Sequence, residues 1–165
     1  MKMYFCVVLV SAFVSASAHA MYVHNNPVRY VDPDGLKTTV VTTYDYGVGT
    51  HSGVLVETPG QSPFLYDPAG SYPATGRGSG DFAEDVKLQD YLGYHTANGS
   101  SVDTAVLNTS PEQEEAIRQR AMNQGGVMAG FCASAVSGAL NGACGIQGSF
   151  FPGSLNKQAK KANCP

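Results

Sequence analysis

The amino-acid sequence predicts an α+β fold in which a small antiparallel sheet packs against a helix that carries a cysteine. The stretch from Thr38 to Asp67 is rich in Thr, Val and Tyr and is interrupted by Gly and Pro, which is typical of short antiparallel strands. The 19 glycines and 9 prolines, with no tryptophan, favour turns and strands over a helical bundle. The small and apolar run from Phe131 to Leu140 predicts a buried helix. A chain of 165 residues, 43% of them hydrophobic, is suited to one domain with a real core.

Residues 1–20 are predicted to be a signal peptide. Lys2 supplies a short positive region, the run from Met3 to Val14 is almost wholly apolar, and Ala18-His19-Ala20 has the small-x-small form of a signal-peptidase site. The apolar run is shorter than the roughly 20 residues that a helix needs to span a bilayer. We therefore expect cleavage near Ala20 and a secreted or periplasmic protein with no stable membrane span.

Residues 21–36 contain two turn-forming stretches, Asn-Asn-Pro and Asp-Pro-Asp-Gly, on either side of a short β-like piece. This segment, YVHNNPVRYVDPDGL, resembles the end of the Rhs (YD-repeat) associated core, the border that precedes variable C-terminal toxin domains. The resemblance implies that residues 21–36 are a remnant of that core and that residues 37–165 form a polymorphic toxin domain. It also implies a cognate immunity protein as a partner.

Two predicted strands place a histidine and an aspartate next to each other. After a first strand over Thr38–Tyr46, the segment Thr50–Glu57 predicts a strand with His51 at its entrance. A Pro- and Gly-containing turn then leads to Phe64–Pro68, which ends in Asp67 because the proline stops the ladder. Antiparallel neighbours can present His51 and Asp67 on one face.

The first turn of the predicted helix is a favourable place for a reactive cysteine. Unpaired N–H groups and the positive end of the helix dipole stabilise a thiolate at Cys132. An imidazole beside the thiol can hold its proton, and a third polar group can fix the imidazole tautomer, so Cys132, His51 and Asp67 fit the roles of nucleophile, base and orienting group. The alternatives are a packed core thiol, a strand-end histidine bonded to a carbonyl, and an Asp-Pro turn.

The order of these residues resembles that of the circularly permuted papain-like hydrolases. A histidine enters a strand in HSGVLVE, a following strand ends in LYDPAGSY, and a cysteine comes later on a helix. This group includes NlpC-type cell-wall peptidases and lecithin-retinol acyltransferase-like proteins, and the likeness covers roughly residues 40–145. It implies a permuted papain-like fold with Cys132, His51 and Asp67 as the catalytic residues.

Three cysteines remain after the signal peptide takes Cys6 away. Either Cys144 and Cys164 form a disulfide that pins the polar tail, Ser154–Pro165, and leaves Cys132 free, or all three thiols are reduced and the tail is loose.

Two other segments carry a prediction. Asp81–Tyr94 has a mixed amphipathic pattern and is followed by His95, which is the reserve candidate for base or orienting group. Ser110-Pro111-Glu112-Gln113 has the N-cap, N1 proline and capping-box glutamine of a helix start, and the helix is expected to run to about Asn123.

Several partner classes are disfavoured by composition. The net charge is −3, and the only basic cluster is Lys157, Lys160 and Lys161, so no nucleic-acid binding is expected. We find no phosphate loop and no metal-ligand motif, so no cofactor or metal is expected.

The sequence therefore predicts an exported cysteine hydrolase that acts on an amide bond. Peptidoglycan is the first choice of substrate because a signal peptide delivers the protein to the cell wall. A transglutaminase or deamidase acting on protein glutamine, or an acyltransferase or phospholipase with an apolar lip, could use the same triad. A further alternative is a remnant without enzyme activity that serves as a binding module, and such a module would need no reactive thiol. For the enzymes, we expect the Cys132 sulfur to lie within about 4 Å of a His51 ring nitrogen.

Overall fold

The computed structural model describes residues 37–75 and 81–164. Within these ranges the chain forms five strands and four α-helices, with a short 3-10 turn at Pro73–Thr75. The strands are β1 (Lys37–Asp45), β2 (Val48–Glu57), β3 (Phe64–Tyr66), β4 (Phe82–Glu84) and β5 (Ser101–Leu107), and the helices are α1 (Leu88–Ala97), α2 (Pro111–Gln124), α3 (Cys132–Ala139) and α4 (Pro152–Lys161). The strands build one sheet in the order β4-β3-β2-β1-β5, and every pair is antiparallel.

A tight hairpin joins the two long central strands, β1 and β2. Tyr46 and Gly47 connect them with backbone φ angles of 52° and 79°. Two consecutive residues with positive φ match the right-handed twist of the flanking strands, which is why such turns dominate two-residue hairpins. The Thr- and Val-rich composition of β1 suits a strand that has neighbours on both sides.

The sheet is covered on both faces. One face meets α2, α3 and α4 and forms the larger core, which includes Val40, Val54, Phe64 and Val136. The other face packs Val41, Leu55 and Leu65 against Tyr91 of α1. Because β1 and β2 alternate their side chains between the two cores, both strands are almost wholly buried along the middle of the sheet.

The structure confirms the α+β prediction and the starts of two helices. Cys132 is the first residue of α3, two residues after Gly130, whose φ is 90°. Ser110 caps α2 through a full capping box: its hydroxyl accepts from the Gln113 N–H, and its own N–H donates to the Gln113 side chain at 2.9 Å.

The polar tail over Ser154–Pro165, for which no element was predicted from the sequence, is largely helical. Most of that segment belongs to α4, which begins at Pro152 and buries Leu155 and Ala159 against the core. These two apolar residues stand one helical turn apart among lysines and glutamines, so the polar composition concealed a helix with one buried face. The strand β5 was likewise not anticipated.

Of the two cysteine states that the sequence leaves open, the structure has the one with a disulfide. A disulfide joins Cys144 to Cys164, with the two Cα atoms 4.2 Å apart, and Cys132 is a free thiol. The disulfide ties the chain just beyond α4 to the loop that follows α3, so the end of the chain is held against the body of the domain.

Two predicted segments cannot be compared with the fold. The signal peptide, residues 1–20, and the core remnant, residues 21–36, lie outside the described residues. Among the helices that are described, none is both long enough and apolar enough to cross a membrane.

Candidate active site

The structure brings His51 and Asp67 together at the open end of the β2–β3 pair. Nε2 of His51 lies 2.6 Å from Oδ1 of Asp67. The pairing of β1 with β2 shifts register beside His51, which makes Thr50 the extra residue of a β-bulge. Bulges bend a strand and re-aim the neighbouring side chains, so this one contributes to the direction of the imidazole.

Asp67 is fully buried, and its carboxylate is surrounded by hydrogen-bond donors. Oδ1 accepts from His51 and, at 2.5 Å, from the Tyr91 hydroxyl, while Oδ2 accepts from the Tyr72 N–H at 3.3 Å. The backbone of Gly70 folds over the carboxylate so closely that a Cβ there would lie 1.9 Å from Oδ2. Burial raises the pKa of Asp67, but the donors and the charge of His51 outweigh it and lower that pKa below its usual range.

Cys132 meets these residues from the start of α3. Its side chain lies within interaction range of His51 and of the backbone N–H groups of Ser52 and Ala133. Ser52 can donate because β3 ends at Tyr66, which pairs with Val54, so no ladder partner stands opposite Ser52 on that side of β2. Since Nε2 of His51 is bonded to Asp67, the other ring nitrogen, Nδ1, is the one that serves the thiol.

The thiol and the imidazole shift each other toward their charged forms. Burial raises the pKa of Cys132, but the hydrogen bond and charge of His51, with the two backbone N–H groups, outweigh burial and lower it. Burial likewise lowers the pKa of His51, yet Asp67 and Cys132 raise it to about 9. The arrangement favours the thiolate–imidazolium pair over the neutral thiol and imidazole.

The bond from Tyr91 to Asp67 depends on a glycine in β2. Tyr91 is fully buried in α1, and its hydroxyl lies where a side chain at position 53 would otherwise be. A Cβ on Gly53 would stand 2.4 Å from the Tyr91 oxygen. Neither Tyr91 nor Gly53 was predicted from the sequence. The spacing of Tyr91 and His95, four residues apart on one helix face, is the signal that could have found Tyr91.

His95 lies beside the triad but does not replace His51. Its ring is packed edge-on against Tyr91 and Tyr94, with centroids 4.7 and 5.2 Å apart, and its centroid is 5.9 Å from that of His51. His95 belongs to the last turn of α1 rather than following the amphipathic segment. His95, the reserve candidate for base or orienting group, is among the residues that line the same cleft as His51.

The triad opens onto a cleft of about 310 Å³. Four of its twelve lining residues carry a hydroxyl group, and Asp45 adds one carboxylate. The lining residues besides the triad members Cys132 and His51 are Thr43, Asp45, Thr50, Ala69, Gly70, Ser71, His95, Ser100, Ala129 and Gly130. In the described ranges, no three His, Cys, Asp or Glu side chains are grouped so that they could hold a metal ion.

The site therefore consists of a thiol, an imidazole and a carboxylate, with the imidazole of His51 between the other two groups. Comparison of the chain with protein-family models, with curated proteins and with solved structures gives no match.

Gly53→Ala is expected to destabilise the protein by about 1–3 kcal/mol, because Tyr91 must retreat from the new methyl group and leave a buried carboxylate oxygen short of a donor. Urea unfolding measures the change. Gly93→Ala is the matched control, since a Cβ there meets nothing within 4 Å and alanine is the better helix former. Equal stability of Gly53→Ala and the wild type would contradict the expected crowding.

Proposed function

We propose that this protein is a cysteine hydrolase that cleaves an amide bond, with Cys132 as nucleophile, His51 as base and acid, and Asp67 as the orienting group. The observation that carries the proposal is the 2.6 Å contact between His51 and the buried Asp67 carboxylate, with the Cys132 thiol within interaction range of the same imidazole. The opposite pKa shifts of Cys132 and His51 support it, because a preformed thiolate is the reactive form of cysteine.

In the first half of the proposed reaction, the Cys132 thiolate attacks the amide carbonyl carbon and forms a carbon–sulfur bond. The carbonyl oxygen takes the negative charge, and the N–H of Cys132, at the first position of α3, is the candidate donor to it. The carbon–nitrogen bond then breaks as the His51 imidazolium gives its proton to the leaving amine. The products are a free amine and an acyl-enzyme.

In the second half, neutral His51 accepts a proton from water, and the resulting hydroxide attacks the thioester. The carbon–sulfur bond breaks, the acid leaves, and the thiolate–imidazolium pair is restored. Asp67 keeps the imidazole in one tautomer and orientation throughout, because its Oδ1 holds Nε2 at 2.6 Å.

We propose that the fold is the permuted papain-like arrangement and that the substrate is peptidoglycan. The order of His51, Asp67 and Cys132 along the chain, with the strands before the cysteine-bearing α3, supports the fold. The substrate is supported by the predicted signal peptide, which leads to the cell wall, and by the toxin border at residues 21–36.

Toxicity in two compartments tests this substrate. Expression of the whole chain, with residues 1–20 directing export, is expected to lyse a bacterial host, whereas a form starting at Lys37 and kept in the cytoplasm is expected to be tolerated. Culture turbidity and release of soluble cell-wall fragments are the measurements. Equal killing by the cytoplasmic form would refute the cell-wall substrate and favour an intracellular target, such as a protein glutamine for a deamidase.

One observation favours a second candidate function, that of an acyltransferase or phospholipase with the same triad. Four large apolar side chains stand exposed near the start of α3 and of α4: Met128 is 75% exposed, Phe131 44%, Phe150 65% and Phe151 74%. The rings of Phe131 and Phe150 are 6.5 Å apart. These exposed side chains form the kind of apolar lip that is expected of an enzyme acting on lipids. Incubation with phosphatidylcholine vesicles or with isolated peptidoglycan distinguishes the two, since only the true substrate is consumed.

A further inference from the structure

Asp45 brings a carboxylate to the catalytic cleft for which the proposed reaction has no use. It is the last residue of β1, and it lines the same cavity as Cys132 and His51. The residue is partly exposed, so a molecule that enters the cavity can reach it. In the described ranges, no Lys, Arg or His side chain forms an ion pair with this carboxylate.

The bulge in β2 holds the carboxylate in one direction. Thr50, the extra residue of the bulge, donates its hydroxyl to Oδ2 of Asp45 at 2.9 Å. The Thr50 oxygen also lies 3.1 Å from the Thr43 hydroxyl, which can donate to it. A side chain held in this way has less conformational entropy to lose when a ligand binds.

The other ionisable groups of the site have partners inside the protein. His51 lies between Cys132 and Asp67, and Asp67 also accepts from Tyr91. His95 supplies no compensating cation for Asp45, because burial lowers the pKa of His95 and the charge of Asp45, which raises that pKa, does not reverse the shift. The negative charge of Asp45 therefore remains open to a ligand.

The hydrogen bond from Thr50 favours an ammonium over a guanidinium as the ligand of Asp45. A guanidinium binds a carboxylate best through two parallel N–H bonds, one to each oxygen. Oδ2 of Asp45 already accepts from Thr50, which leaves Oδ1 as the less occupied oxygen. An ammonium is a compact charge that can bind through a single oxygen. Its other N–H groups can find hydroxyl oxygens in the same cavity, on Ser71 and Ser100.

We propose that Asp45 is a specificity-determining residue that binds an ammonium group which the substrate carries close to the scissile amide. This inference rests on the proposed function, because it assumes that Cys132 is the nucleophile of the same cleft. It extends that function by assigning the substrate class: a peptide-like chain with a free amine near the bond that is cleaved, rather than an uncharged or acidic chain.

Thiol reagents that differ in charge test the inference on the full chain. Methyl methanethiosulfonate is neutral, its aminoethyl analogue is cationic and its sulfonatoethyl analogue is anionic. Each transfers its sulfur-bearing group to a thiolate and releases methanesulfinate. Mass spectrometry of the peptide that contains Cys132 gives the three rates. With Asp45→Asn, we expect the ratio of the cationic rate to the neutral rate to fall about threefold, as suits one partly exposed charge pair, and the ratio of the anionic rate to the neutral rate to rise.

Two further variants separate a local charge from other causes. Asp45→Glu keeps the charge and is expected to keep most of the preference for the cationic reagent. Glu57→Gln makes the same change in net charge six residues from His51 along β2, or roughly 20 Å away, and is expected to leave both ratios unchanged.

Equal rate changes with all three reagents in Asp45→Asn would overturn the inference, as would unchanged ratios there, equal loss of the preference in Asp45→Glu, or the same shift of the ratios in Glu57→Gln. The proposed function fails separately, if Cys132→Ala still releases cell-wall fragments.

Discussion

Cys132→Ala is expected to abolish hydrolysis and toxicity, with a loss of at least about 10⁴-fold in turnover, because Cys132 is the one thiol among the described residues that line the cleft. The fold is expected to survive. Removing one buried sulfur creates a small cavity, which costs at most a few kcal/mol. The measurements are release of cell-wall fragments and a circular dichroism melt on the same preparation.

The double variant Cys144→Ala, Cys164→Ala is the control for Cys132. It removes two sulfur atoms far from the chemistry and opens a loop whose ends are 20 residues apart in sequence. We expect it to lower the free energy of unfolding by about 2–4 kcal/mol and to leave the reactivity of Cys132 intact under conditions where the protein is folded. Full toxicity of Cys132→Ala would remove the enzyme mechanism altogether.

His51→Asn is expected to slow alkylation of Cys132 at pH 7 by at least about tenfold, since each unit of thiol pKa changes the thiolate fraction tenfold. In the wild type, His51 opposes the effect of burial on Cys132; without it, burial dominates and the pKa of the thiol rises. Turnover is expected to fall further than alkylation, because the imidazole also shuttles the proton. A pH profile of iodoacetamide modification, followed by mass spectrometry, separates the two effects.

In the wild type, the rate of iodoacetamide modification of Cys132 is expected to change with pH in two steps. Reactivity is expected to rise with pH through the lowered pKa of Cys132 and to change again near pH 9, where His51 gives up its proton and the thiolate loses its cationic neighbour. Asp103→Asn is the control, because it neutralises another carboxyl of lowered pKa, which pairs with Lys160. An unchanged profile in His51→Asn would show that the imidazole does not govern the thiol.

The linkage of this pair to stability follows from the signs of the shifts. His51 binds its proton more tightly when folded, so its contribution is complete below pH 6.5 and is lost as the pH rises toward 9. Cys132 gives its proton up more easily when folded, so its contribution grows with pH up to the ordinary thiol value of 9.0. The two trends oppose each other, so their contributions partly cancel in the wild type, whereas Cys132→Ala keeps only the part of the histidine shift that Asp67 supplies.

Local patterns in the sequence were sufficient to place His51, Asp67 and the start of α3. Turn formers, β-branched runs and a proline at the end of β3 act over a few residues, and these determine where strands end. Because Asp67 directly follows β3 and His51 lies on the adjoining β2, the sequence order was enough to bring the two side chains to one end of a hairpin.

The remaining parts of the site depend on contacts between distant segments. The Ser52 N–H becomes a partner of the thiol only because β3 stops short of it, and Tyr91 reaches Asp67 only through the space left by Gly53. No short sequence pattern encodes either contact. The same is true of α4, because Leu155 and Ala159 can be recognised as core residues only once the sheet face that they cover is known.

The disulfide between Cys144 and Cys164 sets a condition on how the chain acquires its oxidised form. Cys132 and Cys144 are closer in sequence than the native pair, which is 20 residues apart, so an unfolded chain closes the wrong ring more readily. Only 4% of Cys132 is exposed once α3 has packed against β2. If α3 packs before the thiols are oxidised, Cys132 is largely covered, and Cys144 and Cys164 are the two cysteines left to pair.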